Sequence, residues 1–303
     1  MTPANQFARA LQLAFSKRSA AAPFHEVEQF RALKDSFATL RPMFPVEEYH
    51  GFKRQVYFDT SKSWLRSRAR CELSDLLLLT YATNGRPQIR LTLLQAKLSR
   101  LNHSSLCSAR GPHTPTEFHA NYEQWDLLST RPRLDPTKVF TPPPDLLTSA
   151  IVPSIGSFGV FHRTKAGAID MFYASADTLQ AVGSPASRYG RLSTTVGSSI
   201  RKYGGFVDSP FSCCLFEFGR ALHMLRIGTP VMPNVTSGGS AAADPIAKFV
   251  GDMLRGYQRE VGENSIIAGE LLDVLGYPSD TAEPIDTLPS IVIVKGRTSP
   301  DDE

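Results

Sequence analysis

Between Cys71 and Arg100 the chain reads CELSDLLLLTYATNGRPQIRLTLLQAKLSR, and three side chains in it have types suited to chemistry: the acid Asp75, the amide Gln95 and the amine Lys97. Two apolar runs flank Asn84-Gly85, a dipeptide that readily adopts the backbone of a tight hairpin turn, so the stretch predicts two antiparallel strands. Asp75 opens the first strand. On the second, alternation puts Gln95 and Lys97 on one face with Ile89, Leu91 and Leu93, so polar groups interrupt a core face. Folding at the turn sets Asp75 about as far before it as Gln95 lies after it. A carboxylate, an amide and an ammonium then converge at one end of the sheet, which is the geometry of a site.

The arrangement resembles the active-site hairpin of the PD-(D/E)xK nuclease superfamily, in which an Asp begins one strand and a Glu-x-Lys sits on the next. Here the tripeptide is Gln95-Ala96-Lys97, a variant known in that superfamily, and the likeness spans roughly residues 60 to 100. The resemblance implies an α/β fold: a central mixed β-sheet flanked by helices, with a restriction-endonuclease-like core and an elaborated C-terminal half. It also implies Mg²⁺- or Mn²⁺-dependent hydrolysis of DNA, with Asp75, Gln95, Lys97 and Glu72 as the catalytic set. A hard divalent cation takes oxygen ligands, which the resemblance assigns to Asp75, the Gln95 side-chain carbonyl and the Ala96 backbone carbonyl. Lys97 would orient or help deprotonate the attacking water and offset charge in the transition state. Gln in place of Glu removes one negative charge from the metal site. Glu72 is the nearest acid able to replace it, and Glu47 or Glu48 could stand for the acid that a preceding helix often supplies in the superfamily.

An ordinary edge hairpin is the competing explanation, because an Asp at a strand start and a Lys at a strand end are common surface residues. Favouring a site is the combination: an acid, an unbroken apolar or hydroxyl run from Leu76 to Thr83, the turn, an apolar strand, and two polar residues two apart. Charge adds to it. Residues 1 to 110 hold 17 Lys and Arg against 8 Asp and Glu, or +9, while residues 111 to 303 hold 16 against 21, or −5, which makes up the overall +4. The hairpin therefore lies in a basic half, as a polyanionic partner would require. Lys62, Arg66, Arg68 and Arg70, with Trp64 among them, are the candidate DNA-contacting residues.

Around the hairpin, Thr2 to Arg41 predicts two amphipathic helices, with Phe7, Leu11 and Phe15 on one stripe and Phe24, Val27, Phe30, Leu33, Phe37 and Leu40 on the other. Glu26 and Glu28 at the start of the second suit the helix dipole better than catalysis. The segment RPMFPVEEYHGF reads as a connection, Gln55 to Phe58 as a short strand, and Ser61 to Arg70 as a helix or extended lead-in. Ser99 to Thr116 has loop composition, with His103, His113 and His119 in or beside it at spacings that match no metal signature. Glu117 to Ser129 predicts a helix that would cross over to a further strand.

Six prolines between residues 131 and 154 mark a boundary, giving a nuclease-like core over 1–135, a proline-rich connection over 136–154 and a C-terminal α/β region of unread role over 155–303, for which packing on the same sheet is left open. That last region predicts strands at Gly156 to Phe161, Ala168 to Ala174 and Ser290 to Val294. It predicts helices at Pro245 to Val261 and Ile266 to Leu275, and a long polar loop from Gly183 to Ser209. The chain is long and apolar enough, at 303 residues and 42% apolar, for a sizeable core, and 20% charge argues against wholesale disorder. No apolar run approaches the length of a membrane span and no signal-peptide core is present, so the expectation is a soluble cytoplasmic protein without a membrane partner. Four cysteines without CxxC pairing predict buried thiols. There is no P-loop and no G-x-S-x-G elbow.

The reading is thus a DNA endonuclease, placed in restriction or anti-phage defence by analogy only, as a homo-oligomer or beside a defence partner subunit. Its competitor is a nuclease-fold protein that binds nucleic acid or assembles without cutting, supported by the missing second carboxylate. A structural scaffold for a separate effector is a third class.

Overall fold

The computed structural model describes residues 1–41, 43–44, 46–49, 54–84, 87–101, 116–194, 200–232, 244–261, 266–276 and 290–297. Two N-terminal helices, α1 (Pro3–Ala21) and α2 (Glu26–Ala38), precede β1 (Val46–Tyr49), β2 (Gln55–Asp59), β3 (Arg68–Glu72), β4 (Leu76–Ala82), β5 (Gln88–Leu98) and β6 (Thr116–Asn121). Then come α3 (Tyr122–Thr130), β7 (Gly156–Arg163), β8 (Ile169–Ser175), β9 (Leu179–Ala181), β10 (Tyr189–Thr194), β11 (Arg201–Tyr203), β12 (Phe206–Asp208) and β13 (Phe211–Ser212). The chain ends through α4 (Leu215–His223), β14 (Thr229–Pro230), α5 (Pro245–Val261), α6 (Ile266–Leu275) and β15 (Ile291–Lys295).

The two apolar runs form the centre of an eight-stranded sheet of order β1-β15-β4-β5-β7-β8-β13, with β14 also on β5. β4 and β5 are antiparallel, while β15 runs parallel to β4 and β7 parallel to β5, so the sheet is mixed. Both strands are buried along nearly their whole length, which explains their continuous apolar runs. Alternation sorts their side chains into two cores. Leu77, Leu79, Ile89, Leu91 and Leu93 face a layer holding Trp125, Phe249, Leu254 and Leu271, from α3, α5 and α6. Leu76, Leu78, Leu94 and Ala96 face Phe7, Leu11, Phe37 and Phe218, from α1, α2 and α4. Each fully buried Leu or Phe contributes about 1.5–3 kcal/mol, so both faces are strongly specified.

Several expectations meet a different outcome. Five residues, 83–87, separate the strands, and the pairing Ala82 with Gln88 replaces the two-residue turn; Gly85 lies outside the described residues. Thr116–Asn121 is a strand, where a helix was expected from Glu117, because Phe118 and Ala120 alternate inward with His119 outward. Arg68–Glu72 is a strand paired with Gln55–Asp59, and Val46–Tyr49 is an edge strand within the expected connection. The long polar stretch after Gly183 contains β10, β11 and β12, stabilised by pairing with partners that its composition did not reveal. By contrast, strands from both sides of the proline-rich segment share the main sheet, the packing of 155–303 that the sequence left open. Cys71 and Cys214 are free thiols, whereas Cys213 is disulfide-bonded, a pairing that cysteine spacing could not reveal. Among the described residues no helix is long and apolar enough to cross a membrane.

Candidate active site

The register decides which groups meet. Leu76 pairs with Leu94, the last pair of the β4–β5 ladder, and the Asp75 N–H also donates to the Leu94 carbonyl at 3.1 Å, so the chain leaves the regular ladder at Asp75 and holds its carboxylate beside Gln95 and Ala96. Asp75 Oδ2 accepts hydrogen bonds from Gln95 Nε2 and, at 2.8 Å, from the Ala96 backbone N–H. Gln95 is buried, and its Oε1 accepts from Gln124 Nε2 at 3.1 Å. Two residues on, the Lys97 Nζ lies 3.3 Å from Oε1 of Glu26 at the start of α2.

Helix α3 brings Gln124. Its first turn is fixed by Asn121, whose side-chain oxygen accepts from the Glu123 N–H at 2.9 Å. Glu123, fully buried, takes two hydrogen bonds from the Arg66 guanidinium at 2.6 and 2.5 Å, and this pairing raises the Arg66 pKa further. Asp126, also fully buried, accepts from the Ser61 N–H and hydroxyl at 2.7 and 2.5 Å. The β2–β3 connection is thereby clamped to α3. Gly156, which opens β7, allows α3 this close: a Cβ there would sit 2.6 Å from the Leu128 carbonyl oxygen.

These elements enclose an open cleft of about 480 Å³. Asp75, Gln95, Lys97 and Glu26 line it, with Glu72, Glu123 and Gln124. Arg70, His119, Arg188 and Tyr189 complete the polar lining. Cys71 also borders it, but burial pushes its thiol far above the usual range, so it is no nucleophile.

The structure thus brings together Asp75, Gln95, Ala96, Lys97 and Glu72. Of the four expected DNA-contacting bases, Arg70 lines the cleft, its guanidinium 5.4 Å from the centre of the Tyr57 ring. The other three are engaged elsewhere: Arg66 with Glu123, Arg68 with Asp135 at 2.9 Å, and Lys62 over the Trp125 ring at 5.5 Å. Glu47 and Glu48 lie on strand β1, not on a helix, and their register through β15 puts them level with Leu79 and Leu78, inside β4 and away from Asp75. His103 and His113 lie outside the described residues. Glu26, Gln124, Arg188 and Tyr189 were not anticipated. The start of a helix suits Glu26 to the dipole, yet its carboxylate meets Lys97 in the cleft, and the signal for Gln124 is a polar residue within an otherwise apolar helical stretch.

One feature of the donor set bears on metal binding. Gln95 turns its amide nitrogen to Asp75, since a carboxylate only accepts hydrogen bonds. Among the described residues no three His, Cys, Asp or Glu side chains converge as a metal site. No family model matches the chain, and neither does any curated protein or solved structure.

Proposed function

We propose that the cleft hydrolyses phosphodiester bonds in DNA with the help of Mg²⁺ or Mn²⁺, on a restriction-endonuclease-like core. The observation that carries this reading is the Asp75 carboxylate accepting from both Gln95 Nε2 and the Ala96 N–H at the end of the hairpin, with Lys97 next on the strand. Topology supports it as well. After the hairpin, α3 leads to β7, which lies beside β5 and parallel to it, as the crossover helix of the resemblance requires. Glu26, on a helix that precedes the hairpin, takes the place expected of Glu47 or Glu48.

The residues fit a hard cation, though with little charge. Leu94 directs its carbonyl to Asp75, so the even-numbered residues of β5 turn their peptide groups toward β4. Ala96 is the next of these. Its N–H reaches the Asp75 carboxylate, and its carbonyl points the same way beyond the end of β4. Asp75 and the Ala96 carbonyl would hold the ion, joined by Gln95 once its amide turns over, and Glu72 borders the same cleft. When bound, the ion supplies Lewis acidity at the phosphate and activates water.

The chain's own residues do the rest. Lys97 brings positive charge to a phosphate that the acidic floor would otherwise repel, and Glu26 holds its ammonium in place. Glu26 pairs with Lys97 and Glu123 with Arg66, and the Asp75 and Glu72 carboxylates line the same cleft with oxygens of the kind a hard cation takes. Arg70 and Arg188 are placed for flanking phosphates. By analogy of size and composition alone, the setting proposed is restriction or anti-phage defence.

A second reading is favoured by the neutral Gln95 and the absence of a three-acid cluster among the described residues: a protein that binds DNA in this cleft without cutting it. Plasmid DNA and a single-stranded DNA circle, each incubated with and without Mg²⁺ or Mn²⁺, separate the two. Cutting that needs the ion and disappears in Asp75→Asn supports hydrolysis, whereas a mobility shift with intact DNA supports binding alone.

A further inference from the structure

We propose that the strand taken into the cleft is single-stranded, with one of its bases stacked on Tyr189. The inference deepens the nucleic-acid reading of this site and rests on it. Tyr189 opens β10, is 57% exposed and borders the same cleft as Asp75 and Lys97. A lone exposed aromatic is ordinary on a protein surface. This one is set apart by how firmly its backbone is held and by what lies beside it.

Its strand is pinned to the start of α3. Tyr189 pairs with Asn121, and the Tyr122 N–H donates to the Arg188 carbonyl at 2.8 Å. Gly190 packs directly on the Tyr122 ring, since a Cβ there would lie 2.3 Å from the phenol oxygen, and that phenol donates to the Arg191 carbonyl at 2.9 Å. The ring is therefore presented from a rigid edge. The Arg188 guanidinium lies 5.0 Å from its centre, a cation against an aromatic face. An exposed ring with an Arg stacked on it, beside a second Arg on Tyr57 in the same cleft, forms the aromatic and basic platform on which unpaired bases stack while their phosphates are neutralised.

Size points the same way. A cleft of about 480 Å³ falls within the range that encloses one small ligand, which suits a nucleotide entering from a flexible strand. In a duplex both faces of every internal base are already stacked, so Tyr189 would have nothing to receive.

The test is binding, read without cutting. Fluorescence anisotropy in EDTA compares a labelled oligothymidylate of about ten residues with a duplex of the same length. Wild type is expected to hold the single strand more tightly. Tyr189→Leu should weaken single-strand binding about ten-fold or more while leaving duplex binding within about two-fold, and Tyr189→Phe should keep single-strand affinity within about two-fold. Equal single-strand binding by wild type and Tyr189→Leu, or a wild-type preference for duplex, overturns the proposal. Cleavage with Mg²⁺ is scored separately. Cutting that ignores Tyr189 sinks this inference alone, and Tyr189-dependent binding without cutting sinks the hydrolytic reading alone.

Discussion

Replacing Gln95 with Glu or with Leu separates a metal site from a polar patch, because the structure assigns each variant a different energy. In Gln95→Glu a second carboxylate faces Asp75 Oδ2, which now receives the Gln95 amide. Two like charges about 4 Å apart at an effective dielectric near 20 repel by about 4 kcal/mol, equivalent to raising the pair's upper pKa by about 3 units. The folded state then holds a proton that the unfolded chain releases. Stability is full below the ordinary glutamate pKa of about 4.3 and is lost as pH rises toward the raised value. A cation can take the proton's place: at a concentration 100 times its Kd, Mg²⁺ would return about 2.7 kcal/mol.

Gln95→Leu behaves otherwise. It loses the bonds to Asp75 and Gln124, about 1 kcal/mol each, with no dependence on pH or metal. Urea melts of both variants at about pH 5 and pH 8, with EDTA or Mg²⁺, read these numbers directly. The expected order for the Glu variant is unstable at pH 8 in EDTA, recovered by acid or by Mg²⁺, with metal-dependent cutting retained in part. A Glu variant indifferent to both, or a Leu variant that cuts better than it, would refute the assignment of metal chemistry to this residue.

Asp75→Asn should keep an acceptor for the Ala96 N–H and fold within about 1 kcal/mol of wild type, yet lose cleavage at least about 100-fold; a variant cutting at the wild-type rate removes Asp75 from the mechanism. Lys97→Met should cost about 100-fold or more in cleavage but under about 1 kcal/mol in stability, because the freed Glu26 is 44% exposed and can be hydrated, and thermal melts with single-turnover kinetics check the split. Arg66→Ala should destabilise by about 1–3 kcal/mol, since it strands the buried Glu123, while leaving the salt dependence of DNA binding unchanged; a slope falling by about one would return Arg66 to the DNA-contacting set. Burial pushes the Asp208 carboxyl up to about 6, against partial offsets from Ser154 and Arg90, so its folded form loses stability as pH rises from about 4 through 6. Asp208→Asn should therefore be more stable than wild type above pH 6 by about 1–3 kcal/mol, with no gain near pH 4, and denaturant melts across that range decide it.

The hairpin was legible because alternation is a local property: Ile89, Leu91 and Leu93 share one core, Leu94 and Ala96 the other, and a single strand's sequence contains that information. Its register was less so. Five residues join the strands where Asn84-Gly85 favours a shorter connection, and Asp75 reaches Gln95 through its side chain at the point where the regular pairing ends. The strand at Thr116–Asn121 was hidden by Phe118, Tyr122 and Trp125, which fit a helical stripe although the first belongs to β6 and the others to α3. Glu26 could not be placed from sequence at all. It lies 71 residues from Lys97 along the chain, and the fold of α2 across the sheet end is what joins them. Tyr189 was hidden for the same reason, since β10 pairs with β6 across a long separation and its sequence reads as polar loop.

The distribution of buried polar groups argues against a plain scaffold. Gln95, Lys97, Glu123, Gln124 and Asp126 are all buried, and all lie near one end of a sheet face that is elsewhere Leu, Ile and Phe. Each such group costs free energy unless it is bonded, and apolar residues of similar volume would stabilise a scaffold at least as well. Glu123 and Asp126 do have a structural use, because they tie Arg66 and Ser61 to α3. Gln95 and Lys97 also tie β5 to α3 and α2, and the groups they reach, Asp75, Gln124 and Glu26, all line the cleft. A sequence that breaks its own apolar pattern at one place, on a strand that would pack well without the break, retains the break for what the place does. A reading that leaves Asp75, Gln95 and Lys97 idle has to explain why polar residues, and not leucine, stand at this end of the strand.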